Sequence, residues 1–124
     1  MDTTMQSKYN NRKVRCSGET FDSMLECERY KYLKALEQQK VISNLRRQVK
    51  YVLLPSQKDS KTQKTIEREI TYLADFVYEK GSQTIVEDVK GMKTDVYKIK
   101  RKLMLYFHGI QIKEVTKEVK TWAV

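Results

Sequence analysis

Gly81-Ser82 sits between two runs rich in β-branched and aromatic residues, Ile66 to Tyr78 and Thr84 to Lys90, and it settles more of this fold than any other stretch. A two-residue hairpin loop with glycine first suits the type II′ turn, whose twist matches that of the strands it joins. Such a turn pairs Lys80 with Gln83, and the rest of the register follows by counting: Val77 opposite Val86, Asp75 opposite Asp88, Leu73 opposite Lys90. Side chains alternate along a strand, so Asp75, Asp88 and Lys90 are expected on one face of the sheet. Both faces are otherwise apolar, with Tyr72, Ala74, Phe76, Ile85 and Val89 on one and Leu73, Val77 and Val86 on the other. That is the pattern of central, covered strands.

Two carboxylates opposed on covered strands repel each other. At an effective dielectric near 20 the cost is on the order of 4 kcal/mol at 4 Å. Lys90 offsets part of it, and a divalent cation with a preference for oxygen ligands, Mg²⁺ or Mn²⁺, offsets the rest. A buried Asp–Lys ion pair accounts for Asp88 and Lys90 but leaves Asp75 without a partner. The acid-x-Lys triplet also occurs as Asp59-Ser60-Lys61 and Glu118-Val119-Lys120, yet neither belongs to an apolar strand with a second acid in register. Glu87 is expected on the opposite face from Asp88.

Around this hairpin the chain alternates in period. A helix is expected from Asp22-Ser23 to Gln39, with Leu25, Tyr32, Leu33 and Leu36 near one stripe. Ser23 and Glu26 have capping-box spacing, so Glu26 reads first as part of a cap and second as an acid able to turn toward the cation. A short strand over Lys13–Cys16 precedes this helix. Leu45 to Leu54 is a strand with Leu45, Val49, Tyr51 and Leu53 on one face and Arg46, Gln48 and Lys50 on the other, stopped by Pro55. Ser56 to Thr65 is a polar connection, and Ile66 to Tyr78 one continuous strand. A second helix starts at Thr94, buries Val96, Ile99, Leu103 and Phe107, and stops at Gly109. Ile110 to Val115 is a last strand. Residues 1–12 are expected to be disordered, 13–115 to form one domain, and 116–124 a tail carrying Trp122. The order is helix, three strands, helix, strand: an α/β domain with helices flanking a central sheet.

Charge and composition narrow the function. Twenty-five Lys and Arg against sixteen Asp and Glu give a net charge of +9, which draws polyanions, phosphate backbones first among them. On the second helix Lys98, Arg101 and Lys102 share a side, with Lys93 and Lys100 nearby, and are candidates for DNA contact. One histidine, His108, and two cysteines, Cys16 and Cys27, leave little material for a zinc site or a His-dependent nucleophile. The cysteines are expected as reduced thiols. No membrane span or signal region is expected, and the expected compartment is the cytoplasm.

Three segments carry a resemblance: Phe21-Asp22-Ser23-Met24-Leu25-Glu26, Tyr72-Leu73-Ala74-Asp75-Phe76, and Val86-Glu87-Asp88-Val89-Lys90-Gly91 followed by Thr94. On these, and over residues 8 to 115 as a whole, the chain resembles the PD-(D/E)XK nuclease superfamily, and within it small phage and prophage proteins of unassigned function. The resemblance implies a restriction-endonuclease-like αβββαβ core with a mixed sheet. It makes Asp75 the first motif acid, Asp88 the second, Lys90 the lysine, and Glu26 the acid of the first helix, with Ala74 where the motif has proline. It further implies that Asp75, Asp88, Glu26 and the Val89 carbonyl hold Mg²⁺ or Mn²⁺ for DNA phosphodiester hydrolysis. Family company, which includes Holliday-junction resolvases, suggests branched or recombination-intermediate DNA, a homodimer, and the host cytoplasm for a phage-encoded protein. The alternative is a catalytically inactive nucleic-acid-binding or assembly module on the same fold.

Overall fold

A computed structural model of the chain describes residues 13–117. The N-terminal segment 1–12 and Trp122 of the tail lie outside the described residues. The first elements are β1 (Val14–Cys16) and β2 (Glu19–Phe21), an antiparallel hairpin turned at Ser17-Gly18, both with positive φ. Then α1 (Met24–Gln38) begins where the Ser23 hydroxyl accepts from the Glu26 N–H at 3.1 Å, satisfying one of the helix's free donors. It is followed by β3 (Ser43–Leu54).

A small hairpin, β4 (Gln57–Lys58) and β5 (Thr65–Glu67), occupies what the sequence suggests is an unstructured connection. Asp59 organises it, its carboxylate accepting from the Lys61 and Thr62 N–H groups at 3.1 and 2.8 Å. The expected strand from Ile66 to Tyr78 is accordingly broken at Arg68-Glu69, and the main strand is β6 (Ile70–Lys80). Next come β7 (Gln83–Val89), α2 (Asp95–His108) and β8 (Lys113–Val115). Thr94 caps α2, its hydroxyl accepting from the Tyr97 N–H, and Gly109 ends it with φ 66°, the left-handed conformation glycine adopts without strain.

The central sheet has the order β3-β6-β7-β8, antiparallel except for the parallel β7–β8 pair, and is therefore mixed. The turn behaves as its residues dictate. Lys80 pairs with Gln83 and Val77 with Val86, and at the turn Gly81 has φ 62° while Ser82 stays out of the positive region. The helices cover opposite faces. Cys27, Tyr30 and Leu33 of α1 pack with Phe21, Ile42, Phe76 and Tyr78. On the other face Tyr97 and Met104 of α2 pack with Leu53, Tyr72, Ala74, Val77, Val86 and Ile112. Each Val, Leu, Ile, Phe or Met among them, fully buried, contributes roughly 1.5–3 kcal/mol. No helix among the described residues is long and apolar enough to cross a membrane.

Several expectations fail, each for a tertiary reason. Strict alternation would place Tyr72, Ala74 and Phe76 on one face, but Tyr72 and Ala74 meet α2 whereas Phe76 meets α1. The same exchange occurs on β3, where Leu45 packs on the α1 side and Val49 and Tyr51 on the α2 side. Both strands change faces at one level, that of Gln48 and Asp75, where Gln48 has φ 53°. The stripe assigned to α2 also fails: Val96, Ile99 and Phe107 are exposed, and the helix buries Tyr97 and Met104 instead. Tyr97 sets that rotation, its hydroxyl donating to Glu114 on β8 at 2.7 Å. Finally, Cys16 and Cys27 form a disulfide rather than two thiols, because the β1–β2 hairpin folds against the first turns of α1 and brings their Cα atoms to 6.4 Å.

Candidate active site

The ladder between β6 and β7 runs from the turn to Phe76↔Glu87 and stops one residue short of the expected Asp75–Asp88 pair. There the Val89 N–H donates at 2.8 Å to Oδ2 of Asp75. A carboxylate has taken the place of a backbone carbonyl, which fixes Asp75 beside Asp88. Asp88 is 3% exposed and its Oδ2 has no hydrogen-bond partner among the described residues. The ammonium of Lys90 lies 3.3 Å from that oxygen, outside hydrogen-bonding geometry, and 4.2 Å from the centre of the Tyr97 ring. Asp75, Asp88 and Lys90 therefore do meet, with Lys90 held between a carboxylate and an aromatic face.

Burial pushes the Asp75 carboxyl up to about 9, helped by hydrogen bonding with Asp88, by the charge of Asp88 and by that of Glu26; the Val89 N–H pulls the other way. Two carboxyls held this close raise the pKa of one of them, so the pair favours holding either a proton or a cation. Tyr72 lies against the same pair: its buried hydroxyl has no hydrogen-bond partner among the described residues, and burial and the charge of Asp88 raise its pKa.

Glu26, 3% exposed, does not complete a capping box. Its Oε2 accepts from Nε2 of Gln48 at 3.3 Å and lies 3.7 Å from Nη2 of Arg47, so the side chain faces β3. Burial and then the charge of Asp22 raise its pKa, with Arg47 opposing. Glu87 faces away from Asp88, as expected, and is pinned to α1 by Arg29 at 2.8 and 2.6 Å, with a further bond from the Tyr78 hydroxyl. That buried pair stands behind the site and orients the helix that carries Glu26.

These groups line one open cleft of about 870 Å³ between the start of α1 and the start of α2. Glu26, Asp75, Asp88, Val89 and Lys90 all reach it, joined by Gln48, Tyr72, Tyr97 and Lys100. Among the described residues, no three Asp, Glu, His or Cys side chains converge closely enough to hold an ion as they stand. The donor chemistry nonetheless fits a hard divalent cation: a buried carboxylate with an orphaned oxygen, a half-buried one beside it, and no soft ligand. The proposed DNA contacts divide. Lys93 and Arg101 are each tied at 2.9 Å to Glu114, whose carboxyl they and Tyr97 hold down to about 2 against the opposing effect of burial. Lys98 and Lys102 are exposed and make no ion pair among the described residues.

Gln48, Tyr72 and Tyr97 are not recognisable in the sequence as parts of the site. Gln48 is hidden by its place in the polar set of β3, and the tyrosines by their apolar surroundings. For Tyr97 a local signal exists, since it lies three residues after the capping Thr94 and only seven after Lys90.

Comparison with curated proteins and with solved structures finds no match. Residues 6–122 match the family described as "Protein of unknown function (DUF1064)", and the chain belongs to that family.

Proposed function

We propose that the chain is a metal-dependent endonuclease that hydrolyses DNA phosphodiester bonds with a PD-(D/E)XK-type site on a restriction-endonuclease-like core. The observation that carries this reading is the pairing of half-buried Asp75 with buried Asp88, with an orphaned oxygen on Asp88 and Lys90 3.3 Å from it, at an open cleft of a chain with net charge +9. The order helix, three strands, helix, strand within the larger set of elements supports it, as do the three segments that carry the resemblance.

Asp75, Asp88 and the Val89 carbonyl, with Glu26 beside them, would hold Mg²⁺ or Mn²⁺. Such an ion lowers the pKa of a water it binds and neutralises charge on a phosphate oxygen. The chain's own groups do the rest. Lys90, fixed by Asp88 and the Tyr97 ring, orients the attacking water and donates to the oxygen on which negative charge develops. Lys100 at the cleft and Lys98 and Lys102 on the exposed side of α2 hold the flanking backbone. Branched or recombination-intermediate phage DNA, a homodimer and the host cytoplasm complete the proposal, on the strength of the resemblance.

A second reading, a nucleic-acid-binding or assembly module without chemistry, draws on the lack of three converging ligands among the described residues. A cleavage panel separates the two, with Mg²⁺ and Mn²⁺ on linear duplex, flap, four-way junction and single-stranded DNA, for parent and Asp88→Asn. Metal-dependent cutting by the parent alone supports the nuclease. Binding without cutting on every substrate, with no divalent binding by calorimetry, supports the module.

A further inference from the structure

We infer that Gln48 is a positioning residue of this site, set into the cleft by a break in the sheet to orient Glu26 as a neutral hydrogen-bond donor. The inference rests on the metal-centred function proposed for the cleft. Gln48 lies in the interior of a twelve-residue strand, yet its φ of 53° is left-handed. The other non-glycine residues with positive φ among the described residues, Ser17, Lys40, Asn44 and Gln63, lie in turns or within two residues of an element's end. Strain of this kind in mid-strand persists only where surrounding structure enforces it, and it concentrates at functional sites.

The surroundings show what the break achieves. Pairing is regular on either side, Arg47 with Phe76 and Val49 with Ala74, and the faces exchange between them. The level that is skipped is that of Gln48 and Asp75. Both side chains are thereby released from the ordinary up-and-down alternation, and both line the cleft. Without the break Gln48 would follow Arg46 and Lys50 in the strand's alternation.

The chemistry of the contact suits an orienting role. Glu26 is buried and takes its closest polar side-chain contact from Gln48, at 3.3 Å. Arg47, the other neighbour, is farther, at 3.7 Å, and is committed elsewhere: it bonds Glu19 at 2.6 Å and lies over the Phe21 ring at 3.9 Å. An amide donor fixes the carboxylate without cancelling its charge, which a lysine or arginine at this position would do.

The test uses the full chain and two variants. Gln48→Met keeps the length and removes the donor; Gln48→Gly removes the side chain and relieves the backbone. Mn²⁺ affinity is measured by calorimetry, apo melting temperature by scanning calorimetry, and kcat and KM on whichever DNA the parent cuts. Expected are a loss of roughly 10- to 100-fold in Mn²⁺ affinity and in kcat for both variants. KM for DNA should stay near the parent's, and the apo melting temperature of Gln48→Gly should be equal to or above it. A residue that merely fills the strand would lower melting temperature and leave Mn²⁺ affinity untouched, and that result overturns the inference. If Gln48→Gly does not fold, Gln48→Met alone decides by the same readouts. A parent that binds Mn²⁺ and cuts, with both variants unchanged, removes Gln48 and leaves the nuclease reading standing. A parent that binds no divalent ion overturns both.

Discussion

Asp75→Asn tests the energetics of the carboxylate pair without reference to any substrate. In the folded chain the Asp75 carboxyl is pushed up to about 9, chiefly by burial and by Asp88, whereas an unfolded aspartate titrates near 3.8. The sign follows from proton counting. Between those two values the folded state holds a proton that the unfolded state has released, so stability is greatest at low pH and is lost as pH rises toward 9. One proton corresponds to roughly 1.4 kcal/mol per pH unit, so the parent should lose close to 3 kcal/mol between pH 5 and pH 7 from this group alone. Asparagine keeps an oxygen that can accept from the Val89 N–H and has no proton to lose. The variant's stability should therefore exceed the parent's at pH 7 and converge with it near pH 4. Titrating groups remote from the pair are common to both proteins and cancel in the difference. Urea unfolding of the two, metal-free, at pH 4, 5, 6 and 7 gives the comparison directly. Parallel stability profiles across that range would refute the shared-proton account of the pair.

Other perturbations reach different parts of the molecule. Arg29→Met or Glu87→Leu alone leaves a buried charge without its partner and should cost about 3–5 kcal/mol in urea unfolding, while the double replacement should recover most of that loss. Reducing the Cys16–Cys27 disulfide, which closes a short loop, should cost about 2–3 kcal/mol, read as a drop in melting temperature with dithiothreitol. Lys90→Ala should abolish cleavage while leaving DNA affinity within a few-fold, measured by anisotropy without metal. Lys98→Ala with Lys102→Ala should flatten the log–log salt dependence of binding by about one unit for each phosphate no longer neutralised; an unchanged slope would make them an ordinary solvated face.

Much of the site was legible because its determinants are local. A two-residue turn dictates register over the residues next to it, so Lys80↔Gln83 and Val77↔Val86 follow from Gly81-Ser82 with no knowledge of the rest of the chain. The same register brings Asp75, Asp88 and Lys90 together, although the ladder gives way before their level and Asp75 bonds the Val89 N–H instead. Ser23 and Thr94 cap the helices they precede, and Gly109 ends the second, through contacts that span only a few residues.

The hairpin, the helix limits and the meeting of Asp75, Asp88 and Lys90 thus each follow from short-range geometry that leaves few alternatives. Tertiary structure decided the rest. The rotation of α2 was one such matter: its most obvious apolar stripe, Val96, Ile99 and Phe107, lost to Tyr97 and Met104 because Tyr97 is anchored by Glu114 on a strand added after the helix. Glu114 likewise claims Lys93 and Arg101, which composition would assign to DNA. The disulfide depended on how a hairpin folds onto a helix, and the turn of Glu26 toward β3 on a break at Gln48 and Asp75 in two strands far apart in sequence. In each case the deciding partner is distant along the chain, and neither periodicity nor capping chemistry carries information about which distant group a side chain will meet.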